Sequence, residues 1–387
     1  MPKDVIRIGL VMTHTLSFYR GILRGVKAFA VERPGWVFTP IAPETRAIEL
    51  ARPLRCDGYL AHVFTLPLAR ALLALRKPVI NVAGVLSDLP LPHVMVDHAE
   101  VGRQAARHLL ERGVRRFGFV GYPRHEFSVE RERGYREVVA AAGCTVHSFH
   151  ERTHRVEDPT GIWKWNQPLL DWLAGLAKPV GVLASNDVQG AQVSEYCGQL
   201  KLRVPDEVAI VGVDDDDLLC ELSRPSLSSV ALPCERIGYE AAVLLDKWLG
   251  RSKPEKQSVI VLPPAGVTVR QSSDLLAVPD EQVSAAVRFI QGHADRPIRV
   301  ADVLHEVPVA RRSLERRFRK WLRRSISEEI RRVHLERSRQ LLTGTDVSLA
   351  EVARKSGFRD GRQLSIVFHR ETGITPSAFR RKFRLRS

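Results

Sequence analysis

Short apolar segments alternate with amphipathic segments over most of the first 272 residues, and this pattern restricts the fold more than any other feature. IRIGLVM (6–12) precedes the helical SFYRGILRGVKAFAVER, and VAIVGVDD (208–215) is one of several similar runs further along the chain. Such alternation predicts parallel sheets with helices on both faces. Because the pattern is longer than one sheet usually needs, we expect two α/β lobes around a cleft.

Polar side chains that directly follow two predicted strands are candidates for a ligand site. Asn186 and Asp187 follow PVGVLAS, and Asp214 follows VAIVGV. In open α/β sheets ligands bind outside the carboxyl ends of the strands, and buried carboxylates suit the neighbouring hydroxyls of a sugar. Helix N-caps would explain the positions of Asp187 and Asp214 equally well. We expect no metal at the DDDD run (214–217), since adjacent side chains point in different directions, and no cofactor.

The positive charge of the chain is concentrated in its last quarter. Residues 281–387 contain 25 Lys/Arg against 12 Asp/Glu, whereas the other residues contain 34 against 32, and the net charge is +15. A basic domain attached to a nearly neutral one predicts a polyanionic partner for the basic domain alone. An anionic membrane surface fits the charge as well as nucleic acid does, so the arrangement of the residues has to decide.

A helix–turn–helix pattern occurs twice in the basic part. SLAEVARKSGFRDGRQLSIVF (348–368) and VADVLHEVPVARRSLERRF (300–318) each contain an apolar helix, a turn and the sequence L-x-x-x-F, with 50 residues between equivalent positions. Gly357 would supply positive φ at the second turn. The second helix of such a unit can enter the major groove of DNA. One isolated unit would also suit a helical hairpin that binds no DNA, but two units joined by a long helix (326–342) favour double-stranded DNA as the partner.

Two parts of the chain resemble known families of regulators. VLASNDVQGAQVSEYCGQLKLRVPDEVAIVGVDD and RPSLSSVALPCERIGYEAAVLL are similar to the effector domain of LacI/GalR repressors, and the two units with the tail FHRETGITPSAFR are similar to the DNA-binding domain of AraC/XylS activators. The resemblance implies a periplasmic-binding-protein-like sensor over residues 1–274, a linker at 275–282 and an AraC-type domain at 283–387. The helix-turn-helix units are expected at about 300–320 and 348–371.

The LacI/GalR resemblance also implies which residues contact the effector. Position by position, Arg131, Asp187 and Asp214 match the ligand-contacting positions of that family. In the less similar first lobe, the expected wall residues are Phe18, Tyr19 and Arg20. The domain order implies a sugar-responsive transcriptional regulator, expected to be an activator of sugar-catabolism genes with xylose as its first expected effector. It further implies that the protein is a homodimer, that it contacts RNA polymerase and that it does not bind a membrane.

The AraC/XylS resemblance assigns roles to side chains of the two recognition helices. Leu314 and Phe318 face the core on an L-x-x-x-F helix, so the side chains beside them face outward, where base edges can be read. The expected base-reading residues are Arg312, Glu315 and Arg316 in the first unit and Arg362, Gln363 and Ser365 in the second. The residues expected at phosphates or in solvent are Arg311, Arg317, Arg319, Lys320, Arg370 and the tail FRRKFRLRS.

Three residues depart from the AraC/XylS pattern. Pro308 stands where the family usually has glycine in the first turn, and Ala310 replaces the usual serine cap. Ile366 stands where the family often has arginine; it cannot hydrogen-bond a base edge, although it fits the methyl group of a thymine. The register of both recognition helices therefore follows less directly from the sequence than the fold does.

An enzyme and an architectural DNA-binding protein are the competing functions. The sequence has no GxSxG elbow, P-loop, HExxH or strand-linked GxGxxG, and we expect no enzyme. Cleft carboxylates would suit a glycosidase, but a DNA-binding domain has no role in hydrolysis, and an architectural protein would not need a sensor of about 270 residues. Five widely spaced cysteines without a CxxC pair predict reduced thiols in a cytoplasmic protein.

Overall fold

The fold is that of a two-lobed α/β domain followed by an all-helical C-terminal domain, as the sequence predicts. The computed structural model describes residues 5–13, 16–82, 84–86, 89–151, 165–250, 258–274, 280–345 and 347–383. Within them, no helix is long and apolar enough to cross a membrane. Most of the predicted linker (275–279) and the end of the basic tail (384–387) lie outside the described residues.

The first lobe is built on a six-stranded sheet with the strand order β11-β5-β4-β3-β1-β2, in which all pairs are parallel. Its strands are β1 (Ile6–Val11), β2 (Trp36–Ile41), β3 (Gly58–Ala61), β4 (Val79–Asn81), β5 (His93–Val96) and β11 (Val259–Leu262). Its helices are α1 (Ser17–Glu32), α2 (Thr45–Leu50), α3 (Leu66–Ala74) and α9 (Cys234–Leu249). Parallel strands covered by helices are buried on both faces, which explains the nearly continuous apolar runs.

The second lobe repeats this architecture with the strand order β12-β10-β9-β8-β6-β7, and only the β10–β12 pair is antiparallel among its described pairs. Its strands are β6 (Phe117–Gly121), β7 (Val146–His150), β8 (Val180–Ala184), β9 (Val208–Asp214), β10 (Ser228–Ala231) and β12 (Gly266–Thr268). Its helices are α4 (His98–Glu111), α5 (Glu126–Ala141), α6 (Gln167–Gly175), α7 (Asp187–Gln199) and α8 (Asp217–Leu222). The apolar pattern did not indicate β7, β11 or β12, which are all edge strands with partly exposed side chains.

The two lobes contact each other across the cleft. The backbone N–H of Ser17 in the first lobe donates to Oδ2 of Asp216 in the second over 3.0 Å, and the N–H of Phe127 donates to the carbonyl of Gly84 over 2.7 Å. Because the chain passes from one lobe to the other near residues 97, 232 and 264, the lobes are joined by several segments. Such connections restrict their relative movement to a hinge.

In its described residues, the C-terminal domain has seven helices and two separate apolar cores. They are α10 (Glu281–Gly292), α11 (Val300–Glu306), α12 (Arg311–Leu322), α13 (Ile326–Gly344), α14 (Leu349–Lys355), α15 (Gly361–Thr372) and α16 (Pro376–Phe383). Leu314 and Phe318 on α12 and Leu364 and Phe368 on α15 are fully buried, which confirms the core positions of the predicted repeat. Helix α10 begins at Glu281, one residue before the predicted end of the linker.

Candidate functional site: a cleft and a basic helical surface

The candidate cleft residues of the second lobe lie at the carboxyl ends of two neighbouring strands. Strand β8 pairs in parallel with β9, so the residues that follow β8 and the last residue of β9 meet at one edge of the sheet. Asn186 is the N-cap of α7, and its Oδ1 accepts from the N–H of Gln189 over 2.9 Å. Asp187 begins the helix and Asp214 ends the strand.

Asp214 holds an unusual backbone conformation that brings its carboxylate towards Arg131. Its φ is +116°, a conformation that costs a non-glycine residue of order 1–3 kcal/mol. Its Oδ1 lies 3.8 Å from Nη2 of Arg131, and its side chain is 23% exposed. Burial raises the pKa of Asp214 to about 7, against the opposing effect of Arg131 and with a further increase from Asp216. The carboxylate is therefore desolvated and only weakly paired.

Arg131 on α5 is the buried cation of the cleft, since only 3% of it is exposed. One of its Nη atoms donates to the carbonyl of Ser185, and its Cζ lies 4.9 Å from the ring centroid of Phe127. Its Nε has no hydrogen-bond partner among the described residues. A buried donor without a partner costs about 1–3 kcal/mol, so a polar ligand at this place would be stabilised.

Asp187 has internal partners on both carboxylate oxygens. Oδ1 accepts from the hydroxyl of Ser229 over 2.6 Å, and Oδ2 accepts from the N–H of Asp216 over 2.8 Å. The thiol of Cys220 lies 3.5 Å from Oδ2. Burial and the neighbouring Asp214 raise the pKa of Asp187 well above its usual value. Asp187 therefore holds the loop after β9 in place and has little capacity left for a ligand.

The four consecutive aspartates diverge. Each has different partners: Arg131 for Asp214, Arg270 for Asp215, the N–H groups of Leu219 and Ser17 for Asp216, and the N–H of Leu218 together with the more distant Arg20 for Asp217. The N-cap of α8 is Asp216, so the helix caps of this region are Asn186 and Asp216 and not Asp187 or Asp214. Among the described residues, no group of three or more His, Cys, Asp or Glu side chains is arranged to hold a metal ion.

The first lobe places Tyr19 opposite these charges. The hydroxyl of Tyr19 lies 3.1 Å from Nδ1 of His62, and its ring packs edge-on against Phe18 with 5.3 Å between centroids. Burial and the negative charge of Asp214 raise the pKa of Tyr19, and its neighbours Ser17 and Arg20 contact Asp216 and Asp217 across the cleft. Tyr19, Arg131 and Asp214 are thus brought together, whereas Phe18 contributes to the packing behind Tyr19.

Two further cleft residues, His62 and Tyr122, were missed at the sequence level. His62 directly follows β3, and Tyr122 directly follows β6. Burial, with a smaller effect of His125, lowers the pKa of His62 to about 4, so this imidazole is neutral at physiological pH. Burial and nearby Glu151 raise the pKa of Tyr122. The strand-end rule that selected Asp214 would have found both residues, had it been applied to every strand.

The predicted base-reading side chains lie on the outer faces of α12 and α15. Arg312, Arg316, Arg362 and Gln363 are exposed, and Glu315 and Ser365 are half-buried. Some of their polar atoms are engaged within the domain: Oε1 of Gln363 accepts from the N–H of Arg359 over 2.8 Å, and the hydroxyl of Ser365 donates to the carbonyl of Gly361 over 2.8 Å. The four exposed side chains are therefore the ones best able to reach a ligand.

One expectation about the C-terminal domain, that for Arg317, changes with the structure, and those for Ala310 and Gly357 are confirmed. Arg317 was expected at a phosphate or in solvent, but its Nη1 lies 3.1 Å from Oδ2 of Asp280, the N-cap of α10. Ala310 caps α12 without a side-chain hydrogen bond, so the first unit lacks the cap that Asp360 gives α15. Gly357 has φ +75° at the second turn, as predicted. Arg311 and Arg319 are exposed, as expected for contacts with phosphates.

Comparisons with known proteins match both domains and the whole chain. Residues 106–273 match a periplasmic binding protein-like domain and residues 304–382 a helix-turn-helix domain. The chain is 29% identical to the xylose operon regulatory protein of Escherichia coli K12, over 97% of this chain and 96% of that protein. It is 30% identical to that of Haemophilus influenzae, over 75% of this chain and 74% of that protein. A solved structure of the xylose-binding transcription activator XylR is similar with a TM-score of 0.62 and 27% identity, over 100% of both chains.

Proposed function

The chain belongs to the family of xylose operon regulatory proteins, and we propose that it activates transcription of sugar-catabolism genes when D-xylose binds between the lobes of its sensor. The observation that carries this proposal is the arrangement of the cleft. A buried arginine and a desolvated aspartate lie 3.8 Å apart at the strand ends, opposite a tyrosine of the other lobe, in a chain that ends in two DNA-reading units.

The cleft chemistry suits a small neutral polyol. Asp214 would accept hydrogen bonds from adjacent hydroxyls, while Arg131 would donate to hydroxyl or ring oxygens through its planar guanidinium. Tyr19 and Tyr122 would add hydroxyl groups and flat apolar surfaces on either side of the ligand. Asn186 has its Oδ1 committed to the cap of α7, which leaves its amide group to donate. We assign Asp187 to positioning the Asp214 loop.

The DNA-reading surface consists of α12 and α15 in successive major grooves. Arg312, Arg316 and Arg362 would pair with guanine, and Gln363 with adenine. Ser365 and Glu315 complete the surface as weaker contacts, because each is half-buried. Arg311 and Arg319 would contact phosphates, which position the domain without carrying sequence information.

We assign no catalytic activity to the cleft. Glycoside hydrolysis needs two carboxyl groups that flank the scissile bond, one as acid and one as base or nucleophile. Asp187 is occupied by internal donors, so of the two carboxylates predicted for the cleft Asp214 is the one that remains for a ligand. We further propose that the protein acts in the cytoplasm as a homodimer that contacts RNA polymerase; its five cysteines, all within the described residues, are free thiols.

Titration calorimetry with the full chain tests the effector assignment. D-xylose should bind, and L-arabinose, D-ribose and D-glucose should bind more weakly. Selection of binding sites from random duplex DNA, with and without D-xylose, tests the reader. Sugar binding without any effect on the selected DNA, or enrichment of no sequence at all, would contradict the proposal.

A further inference from the structure

Helix α4 extends from the effector cleft to the C-terminal domain. Its first residue, His98, is buried with its ring centroid 6.1 Å from that of Phe127, and burial together with the positive charge of Arg131 lowers its pKa. Its 14 residues correspond to a length of about 21 Å. Its last residue, Glu111, contacts the C-terminal domain, so one rigid element has one end at each site.

Helix α4 is in backbone contact with the helix that carries Arg131. A Cβ added to Gly102 on α4 would lie 1.9 Å from the carbonyl oxygen of Arg131. On the opposite side of this contact, a Cβ added to Gly134 would lie 1.9 Å from the carbonyl oxygen of Ala99. Because these two glycines let the backbones of α4 and α5 pack in direct contact, the two helices cannot shift independently. A displacement of Arg131 by a ligand therefore also displaces α4.

At its C-terminal end, α4 meets α13 through a group of charged residues, here called the junction cluster: Glu111, Arg112, Arg324, Glu329 and Arg332. Nη2 of Arg324 donates to the carbonyl oxygen of Glu111 over 2.5 Å, and its Nε pairs with Glu329. The same carboxylate accepts from Nη2 of Arg332 over 2.7 Å. Arg324 therefore joins the sensor directly to the first turns of α13.

The junction cluster is buried and electrostatically coupled across the two domains. The side chain of Glu329 is 1% exposed. Its burial would raise its pKa, but Arg332, Arg324 and the sensor's Arg112 outweigh that effect and lower the pKa to about 2. Burial and the like charge of Arg332 lower the pKa of Arg112 to about 10. Because removal of one partner from a buried network leaves the others uncompensated, such a contact is held firmly.

The first lobe and the C-terminal domain border a common cavity. A cavity of about 470 Å³ lies between them, lined by Pro233, Arg236, Leu262 and Pro263 on the sensor side and by Ala378 and Arg381 of α16. The C-terminal domain is thus fastened to the second lobe and separated by space from part of the first lobe. A movement of one lobe relative to the other would change this space and leave the junction cluster intact.

We propose that the junction cluster is the surface that transmits effector binding to the DNA-reading helices, with α4, α5 and α13 moving as one body relative to the first lobe. Helix α13 joins the two helix-turn-helix units, so its position sets where α12 and α15 meet successive grooves. This inference rests on the proposed function, because it requires a ligand at Arg131 and DNA at the C-terminal domain.

The test measures the coupling between sugar and DNA in the full chain. DNA affinity is determined with and without D-xylose, and D-xylose affinity with and without the selected DNA. In the wild type the two ratios must be equal, because linkage is reciprocal. Each ratio should lie in the range of about 5–150-fold that is typical of allosteric coupling. In Glu329→Gln and Arg324→Ala both ratios should fall at least threefold towards 1, whereas D-xylose affinity without DNA should not change.

Two further variants make the test decisive. Arg324→Lys keeps the charge and the fold but cannot bond both Glu329 and the carbonyl of Glu111, so it should lower the coupling even if the other variants unfold. Glu130→Gln is the matched control, because Glu130 pairs with Arg133 at the same i,i+3 spacing on the exposed face of α5. Wild-type coupling in Arg324→Lys would overturn the inference. If the DNA affinity of the wild-type protein is the same with and without D-xylose, the proposed function is overturned instead.

Discussion

Sugar affinity should depend on pH through Asp214. Burial raises the pKa of this carboxyl group to about 7, whereas the sugar would bind the ionised form, which accepts hydrogen bonds from its hydroxyls. Binding therefore releases a proton, and affinity should increase as the pH rises through 7 and level off above about 8. A monosaccharide does not titrate in this range, so the dependence must come from the protein.

The expected size of the effect follows from the ionised fraction. With a pKa of about 7, roughly one tenth of the molecules carry an ionised Asp214 at pH 6 and roughly nine tenths at pH 8. Because apparent affinity scales with the binding-competent fraction, the Kd should be about tenfold higher at pH 6 than at pH 8. His62 adds nothing in this window, because its pKa of about 4 keeps it neutral throughout.

Titration calorimetry between pH 6 and 8, in buffers of different ionisation enthalpy, measures both the affinity and the proton released. Asp214→Asn should weaken binding at pH 8 by about 2–5 kcal/mol, as for the loss of a buried charge-assisted bond, and should remove the pH dependence. Asp57→Asn, a carboxylate in the first lobe that accepts from the N–H of Arg7, is the control. An equal Kd at pH 6 and 8, or a slope that persists in Asp214→Asn, would refute the reasoning.

Three other predictions concern the C-terminal domain. Arg316→Ala and Arg362→Ala should each relax the base preference at one base pair by roughly 1–3 kcal/mol, whereas Arg319→Ala should weaken binding to all DNA sequences equally. Selection of binding sites with each variant distinguishes these effects, and unchanged base preferences in Arg316→Ala and Arg362→Ala would show that the assigned helix register is wrong. DNA affinity of the full chain should fall steeply with salt, with a shallower slope in Arg319→Ala; identical slopes would exclude a phosphate contact. Gly373 has φ +75° and open space around it, so Gly373→Ala should lose about 1–2 kcal/mol of unfolding free energy in urea. Gly357→Ala should lose more, because its Cβ would lie 2.3 Å from Nε2 of His334; equal losses in the two variants would show that this close contact has no energetic cost.

Much of the fold and part of the site follow from local patterns in the sequence. The apolar alternation predicted two lobes, each with a parallel sheet. The 50-residue repeat predicted four core positions, which are Leu314, Phe318, Leu364 and Phe368. Both patterns depend on near neighbours in the chain, which decide the faces of strands and helices. The same reasoning placed Asp187 and Asp214 after buried strands, but it missed the edge strands β7, β11 and β12 and the strand-end residues His62 and Tyr122.

The tertiary structure alone decided which of these residues is available to a ligand. Asp187 and Asp214 look equivalent in the sequence, but Ser229 and the N–H of Asp216 saturate the first, and a positive φ turns the second towards Arg131. The contact between Arg324 and Glu111 joins residues 213 positions apart. A periodic pattern in the sequence cannot predict such a pair. The pair depends on how the completed lobes and helices pack and on which charges that packing removes from water.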